Sequence, residues 1–121
     1  MNVVGVHHVS IGVQDVDAAV EFYRLLGLTS LPRPDFGFGG AWLQAGGQQV
    51  HLIQTDITPP GLENHYAFQV ADLDACVAEL AAHGISARPS NTRGAGRQAF
   101  IKDPSGNIVE LNQPDRIDQR G

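Results

Sequence analysis

Apolar and polar residues alternate along two short segments of the chain, VHHVSIGV (6–13) and HYAFQV (65–70). Alternation with period two predicts β-strands that have one buried face and one open face. Each segment is followed by a stretch in which apolar residues recur at helical spacing, such as Leu73, Val77 and Leu80. Each half of the chain is therefore predicted to contain a strand followed by an amphipathic helix.

The ends of both helices are marked by residues with capping chemistry. Asp15 and Asp72 stand where a carboxylate can accept the first free helical N–H groups. Gly27 and Gly84 suit the left-handed backbone position just past a helix end. We therefore expect each helix to begin after its aspartate and to end before its glycine.

The two halves are also copies of one another. Residues 7–28 align with residues 64–85 without a gap at an offset of 57. His8 then coincides with His65, and Asp15 coincides with Asp72. A repeat of this kind predicts that one supersecondary unit occurs twice.

The second part of each copy predicts a hairpin. Residues 39–54 are expected to turn at 45–47, and residues 96–112 are expected to turn at 103–107. The second turn is longer, so the offset becomes 59 beyond it and His51 coincides with Glu110.

The predicted fold class is α+β, with two βαβββ modules forming a curved mixed sheet around a metal site. We expect a single domain over 1–121, made of module 1 (about 4–54) and module 2 (about 64–112). The helices should cover one face of each sheet and leave the other face concave.

The repeat singles out four polar residues as two equivalent pairs, His8 with His65 and His51 with Glu110. Three imidazoles and one carboxylate suit a divalent ion such as Zn, Ni, Co, Fe or Mn. Strand alternation favours His8 over His7, because His8 shares its face with small residues. His51 has the least support of the four.

Composition excludes several classes of function. The net charge of −5 argues against nucleic acid as a partner. No apolar run is long enough to span a membrane, and no signal peptide precedes the first strand, so we expect a cytoplasmic protein. The single cysteine, Cys76, allows no internal disulfide.

Three segments, HHVSIGVQDVDAAVEFYRLLGL, NHYAFQVADLDACVAELAAHGI and DPSGNIVEL, resemble the vicinal oxygen chelate superfamily. This superfamily includes glyoxalase I, methylmalonyl-CoA epimerase, extradiol dioxygenases, and fosfomycin and bleomycin resistance proteins. The resemblance covers Val6 to Asn112. The segment GAWLQAGGQQVHLIQ is similar to short glyoxalase I-like proteins.

The resemblance implies a metal-dependent lyase or isomerase whose divalent ion is held by His8, His51, His65 and Glu110. It further implies that the vicinal oxygens of a small metabolite chelate the metal, and that a proton moves through an enediolate. Glu110 would be both ligand and catalytic base. Relatives of this size are usually homodimers, and some build each metal site across the dimer interface.

Some residues depart from the family pattern and leave alternatives open. Glyoxalase I usually has Glu where this chain has His51, and epimerases often have Gln. The loop 88–99 does not resemble the potassium-binding loop of fosfomycin-conjugating relatives. The alternatives are an Fe(II) dioxygenase and a protein that binds a drug or natural product and so confers resistance.

Further side chains are candidates for substrate contacts. Trp42 and Phe100 fall at equivalent repeat positions and are expected to pack in the core or to line a cavity wall. Some basic residues are able to bind a carboxylate or phosphate, although solvation in loops explains them equally well. These residues are Arg33, Arg88, Arg93, Arg97 and Lys102.

Overall fold

The computed structural model describes residues 1–94 and 96–115. Its contacts divide the chain into two compact units. Unit 1 consists of Met1–Pro59 and Asp103–Gly106, and unit 2 consists of Pro60–Lys102 and the chain from Asn107 onward. Each unit has one α-helix and one four-stranded sheet. The assignment of both modules to a single domain stays a prediction.

Unit 1 has the element order strand, helix, strand, strand, strand. Its elements are β1 (His8–Val13), α1 (Val16–Leu25), β2 (Thr29–Leu31), β3 (Gly40–Ala45) and β4 (Gln48–Gln54). The strand order in the sheet is β1-β4-β3-β2, in which β1 and β4 are parallel and the other pairs are antiparallel.

Unit 2 repeats this order. Its elements are a short 3-10 helix (Leu62–Asn64), β5 (Tyr66–Gln69), α2 (Leu73–Ala82), β6 (Ser90–Thr92), β7 (Gly96–Lys102) and β8 (Ile108–Gln113). Its sheet has the order β5-β8-β7-β6, again with one parallel pair, β5 with β8. The predicted α+β class with two βαβββ modules and mixed sheets is confirmed.

The helix ends lie where the sequence predicted them. The Asp15 carboxylate accepts a hydrogen bond from the Ala18 N–H at 3.0 Å, and the Asp72 carboxylate accepts one from the Ala75 N–H at 3.1 Å. Gly27 and Gly84 have φ values of +101° and +77°, which side-chain-bearing residues rarely adopt. Neither helix, nor any other in the described ranges, has the length and apolar character needed to cross a membrane.

Period-two alternation decides which side of each sheet the helix covers. In β1, Ile11 and Val13 are buried while Ser10 and Gly12 are exposed. Helix α1 contacts β2, β3 and β4 of the same sheet, and its residues Ala19, Phe22 and Tyr23 are buried. The polar face of β1 and β4 is thereby left for His8, His51 and their neighbours.

Candidate metal and ligand site

Unit 2 places His65 and Glu110 in direct contact. His65 immediately precedes β5, and Glu110 lies in the adjacent parallel strand β8 opposite Ala67. The His65 Nε2 atom and the Glu110 Oε1 atom are 2.8 Å apart. The other ring nitrogen of His65 donates to the backbone carbonyl of Leu62 at 2.6 Å, which sets the orientation of the ring.

The Glu110 carboxylate is buried, with only 6% of the residue exposed. Its Oε2 atom accepts hydrogen bonds from the side-chain amides of Gln98 at 3.2 Å and Asn112 at 2.9 Å. One carboxylate oxygen is therefore held by two neutral amides while the other faces His65. This division leaves Oε1 as the oxygen available for a second ligand or for a proton.

The surroundings of His65 raise its pKa. The hydrogen bond to the Leu62 carbonyl is the largest cause, followed by the hydrogen bond to Glu110. Both ring nitrogens point at acceptors, an arrangement that favours the imidazolium form. A metal ion binding at Nε2 would take the place of this proton.

The geometry of this pair fits a divalent metal. Two neighbouring ligand atoms of an octahedral shell, each about 2.0–2.1 Å from the ion, would lie about 2.9 Å apart. The observed separation between His65 Nε2 and Glu110 Oε1 is 2.8 Å. Ligand orientation by a carbonyl on the far ring nitrogen, and by amides on the second carboxylate oxygen, is typical of protein metal sites.

Unit 1 brings His8 and His51 together in a different way. Their rings stack with centroids 4.0 Å apart and an interplanar angle of 15°. On the next strand, Trp42 stacks on His51 at 4.4 Å and 10°. His51 is nearly buried, and its Nε2 atom lies 2.8 Å from the Gln49 side-chain oxygen. His51 thus stacks with a ring from each neighbouring strand.

The pKa of His51 is lowered, first by burial and then by the positive charges of His8, His7 and Arg33. A neutral imidazole is the form that binds metals. However, the in-plane lone pairs of two stacked rings lie in nearly parallel planes, which do not converge on one ion between them. His51 therefore fits a metal ion less well than the His65–Glu110 pair does.

Residues that the repeat makes equivalent occupy equivalent strand positions in the two units. His51 lies opposite Trp42 and Glu110 lies opposite Phe100, so the equivalent positions of the two hairpins carry these pairs. Within residues 1–94 and 96–115, no group of three or more His, Cys, Asp or Glu side chains is arranged to hold a metal. The four-residue ligand set stays a prediction.

His83 is the C-cap residue of helix α2. Its Nδ1 atom donates to the Glu79 carbonyl at 3.0 Å, so the side chain satisfies a free carbonyl of the last helical turn. Arg97 is also engaged structurally, because its guanidinium forms two hydrogen bonds with the Asp74 carboxylate at 3.0 and 2.9 Å.

Unit 1 also contains a cavity of about 420 Å³, and Trp42 lines it, which is one of the two positions that the sequence predicted for this residue. His8 and His51 line it, and so does His7, which strand alternation had assigned a structural role. The remaining wall includes aromatic and basic side chains, namely Arg33, Phe36, Phe38 and Trp42. Arg33 is one of the basic residues that the sequence offered for binding a carboxylate or phosphate, whereas Phe36 and Phe38 were not among the predicted site residues.

The structure thus contains two βαβββ modules, with a His65–Glu110 contact in unit 2 and an aromatic cavity in unit 1. Residues 5–111 match the model of the Glyoxalase/Bleomycin resistance protein/Dioxygenase superfamily, and the chain belongs to that superfamily.

Three relatives show the range within this superfamily. Metallothiol transferase FosB from Shouchella clausii (strain KSM-K16) is 26% identical over 121 residues, which span 89% of this chain and 79% of FosB. TnmS3, an antibiotic-binding protein from Streptomyces sp. CB03234, is 29% identical with a TM-score of 0.80, over 95% of this chain and 99% of TnmS3. A mutant of the fosfomycin resistance protein FosX from Listeria monocytogenes has the same fold, with a TM-score of 0.82 at 17% identity over 98% of both chains.

These relatives include an enzyme and a binding protein. The FosX mutant was crystallised with Mn(II) and 1S,2S-dihydroxypropylphosphonic acid, so a relative of this fold takes both a divalent metal and a small oxygenated ligand. Superfamily membership therefore covers metal-dependent catalysis as well as ligand binding.

Proposed function

We propose that the protein is a metal-dependent, glyoxalase-like lyase or isomerase. It would bind vicinal oxygens of a small metabolite and move a proton on the adjacent carbon. The single observation that carries this proposal is the 2.8 Å contact between His65 and the buried Glu110 carboxylate. Such a pair offers both a metal-ligand geometry and a positioned base.

The proposed metal ligands are His8, His51, His65 and Glu110, and the ion is one of Zn, Ni, Co, Fe or Mn. Support is strongest for His65 and Glu110, because their spacing and orientation suit one ion. It is weakest for His51, whose ring is stacked and whose Nε2 atom contacts Gln49. A bound ion would act as a Lewis acid on the substrate oxygens.

Glu110 is the proposed base. It is the one carboxylate of the ligand set, and an imidazole nitrogen bound to a metal cannot accept a proton. Gln98 and Asn112 hold Oε2, so Oε1 keeps a defined position for proton transfer. Neutral amide partners orient the carboxylate without adding a counter-charge beside it.

The resemblance to short members of the superfamily supports a cytoplasmic homodimer as the working form. Sedimentation velocity would test the dimer, and a single species at the monomer mass would refute it.

The test of the proposed function combines elemental analysis with a search for proton exchange. We expect the untreated protein to contain close to one divalent ion per chain and the His65→Ala variant to bind it much more weakly. Hydroxy-ketones and thiol adducts of 2-oxoaldehydes, incubated in D₂O, should exchange the carbon-bound proton in the presence of the metal-loaded protein. Unchanged metal content in His65→Ala would overturn the ligand assignment.

A second candidate, sequestration of a drug or natural product without chemistry, is favoured by the 29% identity to TnmS3 and by the aromatic cavity of unit 1. Tight ligand binding by metal-free protein, without turnover, would select this function. Oxygen uptake with Fe(II) would instead select the dioxygenase alternative.

A further inference from the structure

Two phenylalanines at the cavity of unit 1 are unusually exposed. Phe36 and Phe38 lie in the segment between β2 and β3 and are 50% and 52% exposed. Their ring centroids are 5.9 Å apart, and the Phe36 centroid is also 5.9 Å from that of Trp42. These rings form one wall of the cavity, yet about half of their surface remains uncovered.

Rings in this position are suited to packing against another flat ring. Aromatic side chains gain from stacked or edge-on contact beyond the burial of their area. The cavity holds about 420 Å³, a volume within the range of small-molecule sites. The uncovered faces of Phe36 and Phe38 therefore predict a ligand with an aromatic ring.

Arg33 supplies the polar group of the same wall. Its guanidinium carbon lies 5.0 Å from the Phe36 ring centroid and 5.2 Å from that of Phe38. Its Nη2 atom donates to the Phe38 carbonyl at 3.1 Å. A side chain on Gly40 would meet both this guanidinium and the Leu52 carbonyl, so glycine there leaves room for Arg33. Arg33 is thus held at the cavity by several contacts.

The charge of Arg33 is not used in an ion pair within the described part of the chain. The salt bridges found there join His65 to Glu110 and Arg97 to Asp74. A guanidinium has five N–H donors, and planar oxyanions such as carboxylates bind it through two of them. An anionic group on the ligand would therefore complement Arg33.

We propose that the cavity of unit 1 binds a planar aromatic molecule that carries a carboxylate or similar oxyanion. The ring packs against Phe36, Phe38 and Trp42, and the oxyanion binds Arg33. Because His8 and His51 line the same cavity, such a ligand lies beside two of the proposed metal ligands. The inference that such a molecule is the substrate rests on the proposed function. The inference that the cavity binds it does not.

Matched probe molecules test this proposal directly. Isothermal titration calorimetry would compare 2-naphthoate with decahydro-2-naphthoate, which keeps the carboxylate but lacks the aromatic rings, and with 2-naphthalenemethanol, which keeps the rings but lacks the charge. We expect 2-naphthoate to bind more tightly than the saturated acid by roughly three- to tenfold, from the aromatic contacts. The affinity for 2-naphthoate should exceed that for the neutral alcohol by roughly tenfold or more, because the carboxylate forms charge-assisted hydrogen bonds.

The chain has one tryptophan, so its fluorescence reports on Trp42 alone. Addition of 2-naphthoate should change the Trp42 emission with the same dissociation constant that calorimetry gives. Binding without any change at Trp42, equal binding of the saturated acid, or no binding would each overturn the proposal.

Two variants and a control locate the site. Phe38→Leu keeps an apolar side chain but removes one of the three rings, and should reduce the preference for 2-naphthoate over the saturated acid. Arg33→Gln should abolish the preference for 2-naphthoate over the alcohol. The control, Arg24→Gln at the exposed end of α1, should leave both preferences for 2-naphthoate unchanged. Thermal melting checks the fold of each variant, and if Arg33→Gln does not fold, Phe38→Leu and the probe comparison decide the outcome.

Metal dependence separates this proposal from the proposed function. The titrations are made on the protein as purified and again after treatment with EDTA. Ring preference that persists after chelation supports the cavity whatever the metal content. If protein that still holds its metal binds 2-naphthoate no more tightly than the saturated acid, the cavity proposal is wrong, and the proposed metal site is unaffected.

Discussion

The Tyr23 hydroxyl donates a hydrogen bond to the Asp103 carboxylate at 2.7 Å, across 80 residues of sequence. Tyr23 is fully buried and Asp103 is 4% exposed. The second carboxylate oxygen accepts from the Ser105 N–H, and the Ser105 hydroxyl accepts from the Gln14 N–H, each at 2.9 Å. These contacts explain why the turn 103–106, which joins two strands of unit 2, belongs to unit 1.

Replacement of Tyr23 by Phe should therefore destabilise the fold. The change leaves the buried Asp103 carboxylate with one donor fewer, at a cost of about 1–3 kcal/mol in the free energy of unfolding. Urea denaturation followed by circular dichroism would measure this. Arg24→Gln, an exposed change on the next residue, should stay within about 0.5 kcal/mol of the parent. Equal stability of Tyr23→Phe and the parent would show that the hydrogen bond contributes nothing.

Glu110→Gln should separate metal binding from proton transfer. The amide keeps the shape and one oxygen donor but removes basicity, so some metal binding should remain. Turnover at saturating metal should fall by roughly 10²–10⁴-fold, the usual contribution of general-base catalysis. His51→Gln serves as the comparison, and its loss of turnover should be smaller, because the change recreates the residue that epimerase relatives often have. Near-normal turnover by Glu110→Gln would remove this residue as the base.

Removal of the metal should lower thermal stability without unfolding the chain. Each unit has its own apolar core, which in unit 1 includes Ile11 and Leu52 and in unit 2 includes Leu73 and Leu111. These cores form without the proposed ligands, unlike the interior of a zinc finger. Far-UV circular dichroism before and after EDTA would check this expectation, and loss of the spectrum at room temperature would contradict it.

Cys76 should react slowly with alkylating agents. Burial is the main factor that raises its pKa, and the negative charges of Glu79 and Asp72 add to the effect. Since the thiolate is the reactive form, iodoacetamide should modify the folded protein more slowly at pH 8 than the urea-unfolded protein. Equal rates in the two states would contradict the expectation.

The same shift predicts how stability depends on pH. The folded state holds the Cys76 proton more tightly than the unfolded state does, so its contribution is complete below the unfolded pKa of about 8.5 and is lost as the pH rises through the higher folded value. The Cys76→Ser variant should lack this alkaline component. An identical alkaline fall in stability for parent and variant would assign the effect to another group.

Local patterns in the sequence were sufficient for the fold and for the equivalent strand positions of the candidate site residues. Period-two alternation decided which face of β1 carries His8, and the aspartates and glycines marked the helix ends. The two repeat offsets placed His51 and Glu110 at equivalent strand positions, because strand pairing in a hairpin follows from the length of its turn. The contact of His8 with His51, and of His65 with Glu110, depends instead on the parallel pairing of the first and last strands of each unit, which the turn lengths do not specify.

Only the tertiary structure revealed the Tyr23–Asp103 hydrogen bond and the contribution of segment 33–40 to the cavity. The segment 33–40 has no periodicity, so nothing local indicates where Arg33 and Phe36 point. Their positions depend on packing against Trp42 and Gly40, which come together only when β2, β3 and β4 form a sheet. In a loop, side-chain direction is set by contacts with residues distant in sequence. In strands and helices it follows from the periodicity of the backbone.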